Sequence, residues 1–361
     1  MNIMLIGSAD TSGKSIGGQY EKTRLVYNFL KKEQDVCVDF CNMFDIGKTF
    51  RLVFRVIKGY FSSDCVVVIT STRGTRIISK LLYCLYKIQR RVIVYLVVGN
   101  QQELLRSLSD KVRKSIKKLY FEVDSMQYEL KNKYEVGFFS NCKDVHLQKK
   151  NKEILKPIKI CYYSEISFRK GFDRIIRALD VINQPEMKYR LDVYGFYAAD
   201  KKDMEKYLAS RDYLNFLGTI RREESADILS QYSFMVFPSR HKLEGVPGAI
   251  VDAYEAGLPV VCANVGFLSE VVRDKKTGYC FNDENELISL LGDIYDNTEM
   301  LKQLTDNVYD EIEKYDIKTS IKRLHKDLID MLSDSAHGER KGISGASKDS
   351  KGNNNADNLQ I

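Results

Sequence analysis

Apolar runs of strand length alternate along this chain with longer amphipathic stretches. The runs are NIMLIG, DCVVVIT, RVIVYLVVG and YEVGFFS in the first half, then IKICYYS, RLDVYGF, YLNFLG, SFMVFPS and LPVVCA. Between them the spacing predicts helices over residues 20–32, 74–89, 104–120, 172–183, 202–209 and 224–232. Continuous apolar strands separated by helices imply parallel sheets covered on both faces. The alternation runs twice, with a lysine-rich join over residues 148–157. The expected fold is therefore α/β, with two Rossmann-like doubly wound parallel-sheet domains facing a cleft. Residues 1–155 and 156–315 are their expected spans. A helix over 316–333 should follow and pack back on the cleft region. The remainder, 334–361, reads as a disordered polar tail because it holds almost no core residues.

Length and composition fit two soluble domains. The 361 residues are 44% hydrophobic and 29% charged, and two cores can be buried at that length. No apolar run approaches a membrane span, and the start MNIMLIG lacks a basic leader region, which points to a cytoplasmic protein. The eight cysteines form no C-x-x-C pair, and most sit in apolar runs as reduced core residues. Charge is uneven. Residues 1–155 hold 27 Lys+Arg against 15 Asp+Glu, within a whole-chain net of +7. A basic first domain suits an anionic membrane surface or a phosphate-bearing substrate. Nucleic acid is set aside, since no RNA-binding signature or zinc-finger spacing occurs.

The segment FPSRHKLEGVPGAIVDAYEAGLPVVC, residues 237–262, carries the most chemistry. Pro247 and Gly257 punctuate a helix over about 247–256. Its amino end, beside Gly245 and Gly248, offers backbone N–H groups to an anion, and Glu244 stands at its mouth. Asp252 follows Glu244 by eight positions, about two helical turns. Arg169-Lys170-Gly171 opens another helix, where a cation opposes the helix dipole unless an anion is served. Gly17-Gly18 precedes the first helix and lets backbone approach an anion. The sequence GSADTSGKS is not a nucleotide-triphosphatase loop, because Gly7 and Gly13 bracket five residues where four are needed.

These residues carry a resemblance. Glu244-Gly245-Val246-Pro247-Gly248, followed by Ala256-Gly257-Leu258-Pro259-Val260, resembles the donor-binding half of retaining glycosyltransferase family 4, which has the GT-B fold. Val265-Gly266, Glu270-Val271-Val272, Thr277-Gly278 and Lys170-Gly171 match further family positions, and Gly17-Gly18 its amino-terminal glycine loop. The strand ending Val97-Val98-Gly99 is similar to members that build capsules and exopolysaccharides.

The resemblance implies transfer of a sugar from a nucleotide-diphosphate-sugar donor, with no metal and no other cofactor, to a saccharide acceptor, lipid-linked in many members. It implies that Glu244 contacts the donor sugar, Lys170 neutralises the departing diphosphate, Asp252 holds the ribose, and Gly18 lies near the diphosphate. It also implies that backbone from Gly245 through Val246, Pro247, Gly248 and Ala249 holds donor oxygens. Arg169 joins the donor-binding set as a cation beside Lys170.

Two positions depart from the pattern. Asp252 replaces the usual Glu, and Glu165 stands where the family has an arginine. A carboxylate facing a diphosphate repels it, so Glu165 supports one alternative: a catalytically silent GT-B partner of an active transferase. The family's amino-domain histidine has no counterpart before His146, which leaves acceptor activation unassigned. His241 borders the acidic loop. Basic amphipathic stretches at 50–61 and 80–91 suggest peripheral contact with the inner face of a plasma membrane.

Overall fold

The computed structural model describes residues 1–9, 18–43, 49–147, 153–198, 201–208, 211–242 and 244–346. In the first half β1 (Asn2–Gly7), α1 (Gly18–Leu30), β2 (Cys37–Asn42), α2 (Thr49–Ser62), β3 (Cys65–Ile69), α3 (Thr72–Ile88) and β4 (Val92–Leu96) alternate. They are followed by α4 (Gln102–Ser107), α5 (Asp110–Arg113), β5 (Lys118–Phe121), α6 (Asp124–Tyr128) and β6 (Glu135–Phe138). The second half contains β7 (Ile158–Tyr163), α7 (Phe172–Ile182), β8 (Tyr189–Tyr194), α8 (Lys201–Leu208), β9 (Leu214–Phe216), α9 (Arg222–Leu229) and β10 (Met235–Phe237). It continues with α10 (Gly248–Glu255), β11 (Val260–Ala263), α11 (Leu268–Val271), β12 (Gly278–Phe281), α12 (Glu284–Asp296), α13 (Glu299–Glu311) and α14 (Ile317–Ala346).

Each half folds as a six-stranded parallel sheet. The orders are β2-β1-β3-β4-β5-β6 and β12-β11-β10-β7-β8-β9. Counted within its own domain, the second order is the doubly wound 3-2-1-4-5-6, which reverses between β7 and β10. Ligands in such sheets bind beyond the carboxyl ends of the strands at that reversal. The central strands β3 and β4 are buried at every position, as strands covered on both faces must be. Along β1, Ile3 and Leu5 face α1, while Met4 and Ile6 face α2 and α3, a period of two that lets one strand feed two cores.

Four sequence expectations need correction. The helix expected over 104–120 breaks into α4 and α5, and its end becomes β5. Strands β2, β5 and β12 were not anticipated; β2 and β12 are edge strands, and β5 and β12 have four residues each. The last helix runs past residue 333 to Ala346, so the polar tail does not begin at 334; residues 347–361 lie outside the described residues. Only the start of that helix lies at the crossing between domains, where the backbone N–H of Ile317 donates to the Lys143 carbonyl at 2.9 Å. Its body covers the first sheet instead. Ile317, Ile321, Leu324, Leu328 and Met331 recur at helical spacing and join Ile3, Leu5 and Val26 in one core. Each such side chain contributes about 1.5–3 kcal/mol relative to exposure.

Candidate active site

The β7–α7 and β10–α10 connections meet at the carboxyl edge of the second sheet because Gly171 allows it. Gly171 has φ 71°, and a Cβ there would lie 1.9 Å from the Pro238 carbonyl oxygen. Any other side chain would force the two connections apart. The Arg240 backbone N–H donates to the Arg169 carbonyl at 2.9 Å, and the Arg240 guanidinium takes Asp173 in a fork at 2.6 and 2.9 Å. Burial pushes the Asp173 carboxyl up, but Arg240 and Arg177 outweigh it and hold that carboxyl below its usual range.

This scaffold brings Lys170 and Glu244 together. Lys170 Nζ donates to Glu244 Oε1 at 2.7 Å and Oε2 at 2.9 Å, and Ser239 Oγ donates to Oε2 at 3.0 Å. The Glu244 backbone N–H is held by the His241 carbonyl at 3.0 Å, so His241 reaches the site through its backbone. Gly266 packs under the same loop, where its Cβ would lie 2.9 Å from the Lys242 carbonyl. Two oppositely charged groups 74 residues apart thus share one strand-end crevice.

Helix α10 forms as its punctuation predicts, one residue shorter at each end. Pro247 is its N-cap at φ −68°, and Gly257 at φ 67° ends it. The Leu258 N–H donates to Ala253 at 2.8 Å and the Gly257 N–H to Tyr254 at 3.0 Å, the two bonds of a Schellman stop. The Ile250 N–H bonds back to Pro247 at 3.0 Å, so the N–H groups of Gly248 and Ala249 precede the first intrahelical bond at the mouth beside Glu244.

Asp252, the residue expected to hold the ribose, lies deep in the fold. It is 2% exposed, and both its oxygens are engaged. Lys143 Nζ approaches Oδ1 at 3.0 Å, Arg222 Nε donates to Oδ1 at 3.3 Å, and the Tyr163 hydroxyl donates to Oδ2 at 3.3 Å. Burial and then the Asp252 charge push the Tyr163 phenol up, so it remains a donor. Lys143 also reaches Glu255 at 2.5 Å. A crevice of about 790 Å³ opens between the domains beside Lys143 and Arg222; Lys170 and Glu244 are not in its wall.

Glu165 does not stand unneutralised. Arg169 Nη2 donates to both its oxygens at 3.1 and 3.0 Å, and Ser167 Oγ donates at 2.8 Å. In this structure the Arg169 guanidinium is paired with Glu165. The pairing also removes the observation that favoured a silent protein. Gly18 opens α1, while Gly17 and the loop before it lie outside the described residues. Of the remaining matched positions, Glu270 accepts from the backbone N–H and hydroxyl of Ser125 in the first domain. Thr277 accepts from the buried Tyr254 hydroxyl at 2.7 Å. Among the described residues, no group of three or more His, Cys, Asp or Glu side chains could hold a metal ion.

Several partners escaped sequence reasoning: Ser239, Tyr163, Lys143 and Arg222 around the carboxylates, and Lys22, Glu122 and Asn141 in the first domain. Lys22 had a signal. It lies on the α1 face that buries Leu25, Val26 and Leu30, where a lysine needs a buried partner.

Residues 143–311 match the family of glycosyl transferases group 1. That segment holds Glu244, Asp252 and Lys170 and every strand of the second sheet. A stretch of 189 residues, 51% of the chain, is 24% identical to the sulfoquinovosyl transferase SQD2 of Arabidopsis thaliana, covering 35% of that protein. Another of 145 residues, 36% of the chain, is 30% identical to a D-inositol 3-phosphate glycosyltransferase of Streptomyces scabiei, covering 32% of it. The chain thus spans about a third of the length of these curated relatives. Among solved structures, Anabaena HepE in complex with UDP matches at TM-score 0.70 and 16% identity, over 91% of this chain and 100% of that one. Two facing doubly wound domains with a group 1 segment as the second are the GT-B fold.

Proposed function

We propose that this protein is a retaining glycosyltransferase that moves a sugar from a nucleotide-diphosphate-sugar to a saccharide acceptor, lipid-linked, in surface polysaccharide assembly. The observation that carries the reading is the Lys170–Glu244 pair at the β7/β10 reversal, beside the amino end of α10. Glycosyl transfer builds positive charge on the sugar ring and negative charge on the leaving diphosphate. On donor binding, Lys170 turns to the diphosphate, which the N–H groups of Gly248 and Ala249 also face, and Glu244 is released to the sugar. The bond from the anomeric carbon to the phosphate oxygen breaks, the acceptor oxygen takes its place, and the acceptor proton leaves with the diphosphate. Asp252 shares its oxygens between the ribose and the cations beside it. Charge neutralisation by side chains and helix N–H groups needs no metal in this scheme.

A thermal-shift panel of nucleoside diphosphates and their sugars tests the reading, since a ligand of the native state raises its melting temperature. Donor turnover should fall about 10²–10³-fold in Glu244→Ala. Absence of any shift across the panel would sink the enzyme reading. The first domain is the acceptor side in this scheme. Its α2 and α3 expose Phe54, Phe61, Ile77 and Ile88 among Arg51, Lys58 and Lys80, a surface suited to an anionic bilayer. Among the described residues no helix is long and apolar enough to cross a membrane. Co-sedimentation with anionic but not neutral vesicles is expected; equal recovery with both would remove the membrane from the scheme.

A further inference from the structure

The first domain touches the Glu244 loop at two backbone groups of one residue. Asn141, just beyond β6, donates from Nδ2 to the Val246 carbonyl oxygen at 2.9 Å. Glu122, just beyond β5, places Oε2 3.5 Å from the Val246 backbone nitrogen and 3.4 Å from that of Gly99. The loop comes this close because residue 245 is glycine: a Cβ there would lie 2.7 Å from Glu122 Oε2. Glu122 is itself fixed. Lys22 Nζ, 1% exposed, donates to its Oε1 at 3.0 Å and to the carbonyls of Val97 and Phe139 at 3.3 Å each. The Asn141 amide has one usable orientation, since turning it over would set its oxygen against the Val246 oxygen. Its Oδ1 has no partner among the described residues, so the amide is placed for Val246 rather than for its own bonding.

We infer that Glu122 and Asn141 are positioning residues for Glu244, delivered by the first domain to the backbone two residues further on. The inference rests on the glycosyltransferase reading of the site. Residues from the ends of β4, β5 and β6 converge on a loop of the other domain, so the loop takes this geometry only when the domains are closed on each other. A nucleoside diphosphate can dock on the second domain alone. Placing Glu244 against the sugar requires both. The first domain therefore contributes to the donor side of the reaction as well as to the acceptor side.

Asn141→Ala and Glu122→Gln test this with the nucleotide sugar that wild type turns over and with the matching nucleoside diphosphate. Asn141→Ala leaves no charge unpaired. Glu122→Gln keeps one acceptor oxygen, which can serve either Lys22 or the two N–H groups but not both. Displacement of a reacting group by about 1 Å can cost about 10²-fold. We expect kcat to fall about a hundredfold in Asn141→Ala and about tenfold in Glu122→Gln, with the diphosphate dissociation constant within about twofold of wild type. A kcat unchanged in Asn141→Ala, or a loss shared equally by diphosphate binding, overturns the inference. A wild-type protein that turns over no nucleotide sugar instead overturns the reading on which the inference rests.

Discussion

The two sheets each end in a charged pair at the cleft, and the pairs are built differently. In the second domain, Lys170 and Glu244 are 14% and 10% exposed, and Ser239 is the other side chain bonded to the carboxylate. In the first, Lys22 and Glu122 are 1% and 5% exposed, and the ammonium is further bonded to two carbonyls. A pair that keeps some access to solvent can exchange partners when an anion arrives. A pair sealed in the interior cannot, because each charge left behind would be stranded in a medium that solvates it poorly. The same chemistry therefore gives a pair able to exchange partners in one domain and a fixed strut in the other.

The largest effect expected from this difference is on stability. Lys22→Ala strands the Glu122 carboxylate and should cost about 3–5 kcal/mol in denaturant unfolding. Lys170→Ala leaves Glu244 bonded to Ser239, so its unfolding midpoint should stay nearer wild type while donor turnover falls about 10²–10³-fold. Equal destabilisation by the two substitutions would erase the distinction between strut and exchangeable pair.

A second contrast concerns the final helix, which follows the second domain in sequence and belongs to the first in space. Leu324 is fully buried against the first sheet. Leu324→Ala should cost about 2–5 kcal/mol, with amide hydrogen exchange accelerating in β1, β3 and β4. Acceleration that appeared first in β7, β8 and β10 would assign the helix to the wrong core.

How much of this could be read from the chain differs in the same way between the domains. The Glu244 loop and α10 were legible because proline and glycine mark both ends of the helix within a dozen residues, and every signal is local. Strand β5 was not. The segment KKLYF continues the amphipathic period of the residues before it, and four residues are too few to show a period of two. Edge strand β2, CVDFCN, mixes exposed and buried positions and reads as a turn-flanked loop. The Lys22–Glu122 and Asn141–Val246 contacts join residues 100 and 105 positions apart, so only the fold brings them together. Glu165 is the opposite case, legible as a departure but not as a pair. It reads in the sequence as a carboxylate without a cation, and its partner is Arg169, four residues on in the turn that precedes α7.

That pair provides the smallest effect and the finest test of the comparison. Arg169 is 54% exposed and Glu165 19%, so the pair resembles a surface salt bridge worth about 0.2–1 kcal/mol. Arg169→Ala should leave folding almost unchanged. It also returns a bare carboxylate to the strand end where a diphosphate is proposed to sit, and like charges there repel. Nucleoside diphosphate affinity should therefore fall by up to about fivefold, since 1.4 kcal/mol corresponds to tenfold. The loss should shrink in 1 M salt, where the screening length drops to about 3 Å, and should be reversed by adding Glu165→Gln. A loss that survives high salt and the second substitution would mean that Arg169 contacts the diphosphate directly, restoring to it the donor-binding role expected from the sequence.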